Sequence, residues 1–244
     1  MIHPLRLRFG AALLVALTGL LSACSKGPDG PTTQVQLSQA IREAIQERRA
    51  PKTDPVRATR AMLLELGNPH IEIVVENLDF LGYLALVLTR SDDQPGTITQ
   101  WNGGDGTALI LRNGMLIASR GLGGNLLSAD VPARGQQPGP GRGGQRSYQI
   151  RSGDNIAQRL TFACSLQDLG PARLEIVERS YNTRHLQEYC ETGSLQNDPQ
   201  GRIQGETHVI INDYWVDSRG GEVWQSRQWA GPEIGYLRIR NLTN

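Results

Sequence analysis

The chain has 244 residues, 25 Lys and Arg against 24 Asp and Glu for a net charge of +1, and 39% hydrophobic residues. Near-neutrality excludes a basic clamp for nucleic acid, which needs surplus cations against phosphate. The hydrophobic share is too high for a wholly disordered chain and too low for a multi-span membrane protein, and the length supports one sizeable core.

The N-terminus reads as an address. Arg6 and Arg8 form a positive start, and Phe9 to Leu21 is an apolar run of about a dozen residues, the length of a secretory h-region. A bilayer span needs roughly 20 residues. Leu21-Ser22-Ala23-Cys24 follows and resembles the lipobox of bacterial lipoproteins. That resemblance implies a signal peptide over 1–23, cleavage before Cys24, acylation of Cys24 and a palmitate-type membrane anchor. Two or more acyl chains hold a protein on a bilayer where one is marginal. The competing reading is an ordinary secretory signal with a chance cysteine. Ser25, by resemblance to enteric lipoproteins, implies the outer membrane rather than the inner one. Losing Arg6 and Arg8 with no acid moves the charge from +1 to about −1.

Residues 24–36 read as the acylated cysteine and a flexible tether rich in Gly, Pro, Ser and Thr. Leu37, Ile41, Ala44 and Ile45 recur at helical spacing, so Leu37–Arg48 is an expected helix, broken by Pro51 and Pro55. Arg57–Leu66 is a second short helix ended by Gly67. Beyond His70 the pattern becomes short apolar or β-branched runs. Strands are expected over Ile71–Glu76, Tyr83–Thr89, Thr97–Trp101, Thr107–Leu111, Met115–Ala118, Ser147–Arg151, Gln158–Cys164, Ala172–Ser180, His185–Glu191, Thr207–Val216, Glu222–Trp229 and Tyr236–Arg240. Asn113-Gly114 between two runs is a type I′ hairpin signal, because both turn positions need positive φ. Gly220-Gly221 marks another turn. Short strands with short turns predict a mainly β, single-domain fold over 37–244. It is an antiparallel meander sheet folded on itself, barrel-like or sandwich-like, with one or two short N-terminal helices. Arg134–Gly144, mostly Gly, Pro, Gln and Arg, is expected to stay unpacked and mobile.

Cys164 and Cys190 have three readings. In an oxidising periplasm a structural disulfide is natural, and closing about 26 residues would stabilise the fold by roughly 3 kcal/mol. A metal site with His185 lacks a recognisable fourth ligand. Two buried free thiols are the third. His70, His185 and His208 sit in no HExxH pattern, and no Gly-x-Ser-x-Gly elbow exists. Asp105, Glu175 and Asp213 could pair for sugar hydrolysis, but 24 acids supply such pairs by chance. No catalytic residue, metal site or cofactor is assigned. Trp215, Trp224 and Trp229 crowd the C-terminal hairpin among Arg219, Arg227, Arg238 and Arg240. With Trp101 they suggest a glycan or partner surface made of Trp101, Trp215, Trp224, Arg227 and Trp229, since indoles stack on sugar rings and Arg bonds hydroxyls. Ordinary cross-strand aromatic pairing is the competing reading.

Three blocks add a resemblance. Trp101-Asn102-Gly103-Gly104-Asp105-Gly106, Leu111-Arg112-Asn113-Gly114-Met115-Leu116 and Gly121-Leu122-Gly123-Gly124-Asn125-Leu126 resemble the YjbF/GfcB family of outer-membrane lipoproteins. Tyr214-Trp215-Val216-Asp217, Gly220-Gly221-Glu222-Val223-Trp224 and Ser226-Arg227-Gln228 resemble its closing hairpin. Arg134–Gly144 and the Cys164/Cys190 pair have no counterpart in that pattern. The resemblance implies a β-rich meander and a role in producing or exporting extracellular polysaccharide, as in group 4 capsule systems; the expected role is a non-enzymatic accessory factor, with a periplasmic glycan-modifying enzyme and an envelope scaffold without glycan contact as the alternatives. The resemblance carries no catalytic residues. The implied partners are a membrane, through the lipid, and a polysaccharide or components of its export machinery.

Overall fold

Residues 57–151, 157–192, 196–197, 203–204 and 208–242 are described by a computed structural model. The signal segment 1–23, Cys24, the tether and the expected helix Leu37–Arg48 lie outside the described residues. Helix α1 (Arg60–Leu66) matches the second helical segment. The Thr59 side chain accepts from Met62 N at 3.3 Å, and Gly67 ends the helix at φ 69°, the left-handed stop that glycine adopts without steric cost.

The strands are β1 (His70–Val75), β2 (Phe80–Arg90), β3 (Ile98–Asn102), β4 (Ala108–Arg112), β5 (Met115–Arg120), β6 (Asn125–Asp130), β7 (Gly144–Arg151), β8 (Ala157–Ile176) and β9 (Arg179–Glu191). A two-stranded ladder of β10 (Gln196–Asn197) and β11 (Ile203–Gln204) comes next. β12 (Val209–Asp217), β13 (Val223–Trp229) and β14 (Tyr236–Asn241) complete the chain. Twelve strands form one antiparallel sheet in the order β5-β4-β3-β2-β1-β14-β13-β12-β9-β8-β7-β6. Apart from the β1–β14 join and the step over β10–β11, sheet neighbours are chain neighbours. The first strand pairs with the last, from Ile71↔Asn241 to Val75↔Leu237. The two sheet edges, β5 and β6, lie side by side without a backbone ladder. One bond, from Leu126 N to Ser119 Oγ at 3.3 Å, spans that seam. The sheet is therefore nearly closed into a barrel, the barrel-like form of the expected meander.

Alternation decides inside from outside. Ile71, Ile73 and Val75 of β1, Leu109 and Leu111 of β4, and Leu237 and Ile239 of β14 are buried in one inner core with Leu126, Tyr148 and Phe162. The outward phase is largely polar, with Gln149, Arg151, Arg184, Glu191 and Arg238 exposed and a few apolar side chains such as Tyr189 and Val209 among them. A lipid-facing barrel has the opposite pattern, apolar outside. Cys164 and Cys190 are direct cross-strand partners on β8 and β9, Cα–Cα 4.0 Å, and form a disulfide.

The strand pattern departs from the sequence reading at four places, one of them the short β10–β11 ladder. β6 was not among the expected strands. Residues 157–176 are one long strand rather than two, with a register shift between Asp168 and Gly170. The expected strand Ala172–Ser180 is interrupted by a turn at Val177 (φ 41°) and Glu178 (φ 65°). A β-branched residue is disfavoured at positive φ, so no local signal marks this turn. Tertiary contacts hold it: Val177 packs against the cluster of Leu63, Ile176, Trp224 and Leu242. The Arg60 guanidinium donates to Ile176 O, Val177 O and Leu242 O at 3.3, 3.0 and 2.8 Å.

The expectation for Arg134–Gly144 is corrected. Pro138, Gly139 and Pro140 are buried, and the segment is a strap laid across the barrel end that carries the Asn113–Gly114 turn, the upper end. Proline and glycine lack large side chains, but here they fill the narrow space beside Tyr214, Val216 and Val223. The strap's polar backbone finds its partners on Asn113.

Candidate upper-end cavity

Asn113 organises the upper end. Asn113 and Gly114 have φ of 49° and 81°, as the type I′ reading requires. A Cβ on Gly114 would also lie 2.5 Å from Val223 Cγ2. The Asn113 side-chain oxygen accepts from Thr97 N at 2.8 Å, and its amide donates to Gly135 O (3.0 Å) and Gln137 O (2.9 Å). Its backbone carbonyl accepts from Gly139 N at 2.7 Å. One turn residue thus ties the strap to β3 and β4.

Beneath the strap lies a cavity of about 540 Å³, within the roughly 300–1,000 Å³ range of small-molecule sites. Strands β1 to β4, β13 and β14 supply its walls. Cross-strand pairing aligns Leu86 with Trp101 and Thr89 with Thr99; Thr99 and Trp101 alternate on β3, and a register shift between Leu86 and Leu88 brings Thr89 of β2 to the same side. Trp101 Nε1 donates to Thr99 Oγ1 at 2.9 Å, which satisfies the indole and fixes its plane. Thr97 Oγ1 donates to Gln136 Oε1 at 2.8 Å, joining wall to strap. Glu222 is the sole ionisable group among the lining residues. Burial pushes its carboxyl above the ordinary range, with the amide of Asn241 donating to it and Asp217 nearby.

The opposite wall is polar but sealed. Arg146 on β7 and Glu188 on β9 are buried and paired at 2.8 Å. Arg146 also donates to Tyr148 OH (3.2 Å) and Tyr214 OH (2.8 Å). Burial opposes the arginine's charge, but Tyr148, Tyr214 and Glu188 more than offset it and hold its pKa well above the usual value. Burial likewise raises the two tyrosines. Asn212 donates to Glu188 at 3.0 Å and accepts from Trp229 N at 2.8 Å. Gln228 accepts from Leu116 N (2.8 Å) and Tyr214 OH (3.1 Å), and donates to Gly114 O (2.8 Å) and Ser226 Oγ (2.9 Å). Ser226 faces the cavity, so this network underlies one of its walls. Each member has partners, and a satisfied buried network rigidifies and specifies a core. The sequence does contain the signal: Arg146, Glu188, Asn212 and Gln228 sit in the inward phase of their strands. Sequence reasoning did not single them out.

The five residues of the expected glycan surface separate. Trp101 lines the cavity. Trp224 is buried beside Tyr181, ring centroids 3.9 Å apart. Trp229 packs edge-on against Tyr148 (5.2 Å) and Phe162 (5.8 Å) in the inner core. Trp215 and Arg227 face outward. Trp215 stacks on His185 at 4.4 Å, and His185 Nε2 lies 2.7 Å from Asp213 Oδ1. Arg227 pairs with Glu76 at 2.7 Å and covers the Tyr236 ring at 3.6 Å. No single surface unites the five.

The other candidates stay apart. Asp105 accepts from Thr107 N in the β3–β4 turn, Glu175 lies near the β8–β9 tip, and Asp213 is on the outer face of β12. His70 sits beside Asn68 O at 2.6 Å, and His208 N donates to Thr192. The disulfide consumes both thiols, and His185 faces away from them, which removes the metal and free-thiol readings of that pair.

The fold defines an antiparallel meander-barrel protein with an inward core, a polar outer wall and a covered cavity at one end. Residues 37–242 match the model of the family described as "Group 4 capsule polysaccharide lipoprotein gfcB, YjbF", and the chain belongs to this family. The resemblance carried by the Trp101, Asn113 and Trp215 blocks is borne out. Among solved structures, the hypothetical lipoprotein YmcC from Escherichia coli is similar, with a TM-score of 0.56 at 18% identity, covering 78% of this chain and 98% of that one. At this identity the likeness speaks to the fold alone. No curated protein matches the sequence.

Proposed function

We propose that the protein is a lipoprotein of the outer membrane, facing the periplasm and anchored through Cys24, that serves extracellular polysaccharide or capsule production as a non-enzymatic accessory factor. Family membership supports the association with capsule polysaccharide. The polar outer wall supports a barrel that stands off the bilayer on an acylated tether rather than crossing it. The observation that carries the accessory reading is the cavity. Its walls hold neutral hydrogen-bonding groups, a tryptophan and a single carboxyl, whereas glycoside hydrolysis needs two carboxyl groups flanking one bond. The walls suit holding a ligand. The proposed partners are the polysaccharide itself or components of its export machinery.

Deleting the gene and fractionating the envelope tests this. The expected result is altered secreted polysaccharide in the deletion strain, with the protein in the outer-membrane fraction and a lipid-modified Cys24 by mass spectrometry. Unchanged polysaccharide, a lipid-free N-terminus, or oligosaccharide released from polysaccharide by the purified protein would each overturn the corresponding part.

A further inference from the structure

We propose that the upper-end cavity is a binding site for a neutral, hydroxyl-rich saccharide segment, packed against Trp101 and bonded by Thr89, Thr97, Thr99, Ser226 and Gln136. This deepens the accessory reading above and rests on it. The lining combines two kinds of surface that a sugar ring matches at once. Trp101 with Leu86 and Ile239 offers apolar wall to the C–H face of a pyranose. The hydroxyls and amides around them offer donors and acceptors to ring hydroxyls.

The charge distribution chooses among ligands. The lining contains no Arg, Lys or His, so nothing there compensates a phosphate or uronate. The one charge-bearing side chain is Glu222, held beside Asn241. An acidic sugar would meet a carboxyl of like charge at the exposed rim of the cavity, where repulsion disfavours it. A fully apolar chain such as an acyl tail would cover hydroxyl and amide groups of the lining while using none of their remaining hydrogen-bonding capacity, which costs free energy for each group cut off from water. A neutral or N-acetylated sugar satisfies both constraints.

Access and selection lie at the rim. Thr89 and Gln136 are exposed, while Pro138 closes the roof from the strap. Gln136 is held to Thr97 and the strap to Asn113. A ligand hydroxyl can replace the Thr97–Gln136 contact without disturbing the Asn113 bonds. The strap thus contributes one contact that exchanges and several that do not.

The test uses the full-length protein in a sugar-free detergent, titrated by calorimetry with triacetylchitotriose, galactotriose and trigalacturonate. At least one neutral trisaccharide is expected to bind at millimolar concentration or below, with trigalacturonate weaker by about tenfold or more, which is about 1.4 kcal/mol. Thr89→Trp, at an exposed rim position, is expected to cut neutral binding by about tenfold while leaving the melting temperature unchanged. Glu222→Gln is expected to narrow the gap between neutral and acidic probes. Silence with both neutral trisaccharides, tight trigalacturonate binding, or wild-type binding by Thr89→Trp would overturn the proposal. The two readings fail separately. Normal capsule in a strain carrying Thr89→Trp removes the cavity from the pathway but leaves the accessory role. Normal capsule in the deletion strain removes the role itself.

Discussion

Asn113 carries more of the fold than a surface turn residue usually does. Its side chain makes three hydrogen bonds to backbone groups of two segments, and its own φ is 49°. Each such bond contributes about 0.5–1.5 kcal/mol, and an alanine in the left-handed region costs about 1 kcal/mol more. Asn113→Ala is therefore expected to destabilise the protein by about 2.5–5.5 kcal/mol in urea titration and to expose 134–140 to protease cleavage. Unchanged cleavage there would show that the strap is held by burial alone. The Asn-Gly pair announced this turn in the sequence because the constraint is local. The strap was invisible for the complementary reason. Nothing in Gly-Gln-Gln-Pro-Gly-Pro states that a ready-made set of partners waits on a turn 22 residues away. The tryptophans were read as one surface because adjacency in sequence does not say which packed cluster each side chain joins. Trp215 faces outward while Trp224 and Trp229 are packed within.

At the scale of elements, the strands were mostly legible and their interior chemistry was not. Short apolar or β-branched runs located β1, β4, β12 and β14, and period-two phase then sorts inward from outward side chains. It also places Arg146, Glu188, Asn212 and Gln228 inward, against the expectation that a barrel's inner phase is apolar. These residues link β7, β9, β12 and β13 across the lumen and reach β5 through Leu116 N. The pair joins strands that are not sheet neighbours, a constraint that apolar contacts impose less specifically. Arg146→Met strands the Glu188 carboxylate in the core and is expected to cost about 3–5 kcal/mol. Replacing both, as Arg146→Met with Glu188→Leu, is expected to be less damaging than the single change, with midpoints compared in urea. A double variant worse than Arg146→Met would mean that the hydroxyls and amides around the pair, rather than the stranded charge, set the cost. The missed turn at Val177–Glu178 belongs to this scale too, since α1 and the C-terminal residues fix it from outside the hairpin.

For the whole molecule, closure is uneven. The β1–β14 join has a full ladder, whereas β5 and β6 touch with the Leu126–Ser119 side-chain bond across them. Opening free energies vary across a structure with local hydrogen bonding. Amides of β5 and β6 that point into the seam are expected to exchange faster than those shared by β1 and β14, by about tenfold or more. Equal protection would mean that the barrel opens as one unit. The meander was read from short strands and short turns. Which neighbours would lack a ladder was not, because both edges have ordinary strand sequences.

Pairing between first and last strands has a consequence for how the molecule comes into being. β1 and β14 are separated by the other strands of the sheet, so the clasp of the ring cannot shut until β14 is available to fold. Until then Ile71, Ile73 and Val75 wait with one flank unclaimed. A chain lacking Tyr236–Asn241 would be left with an open, adhesive edge rather than a slightly smaller barrel.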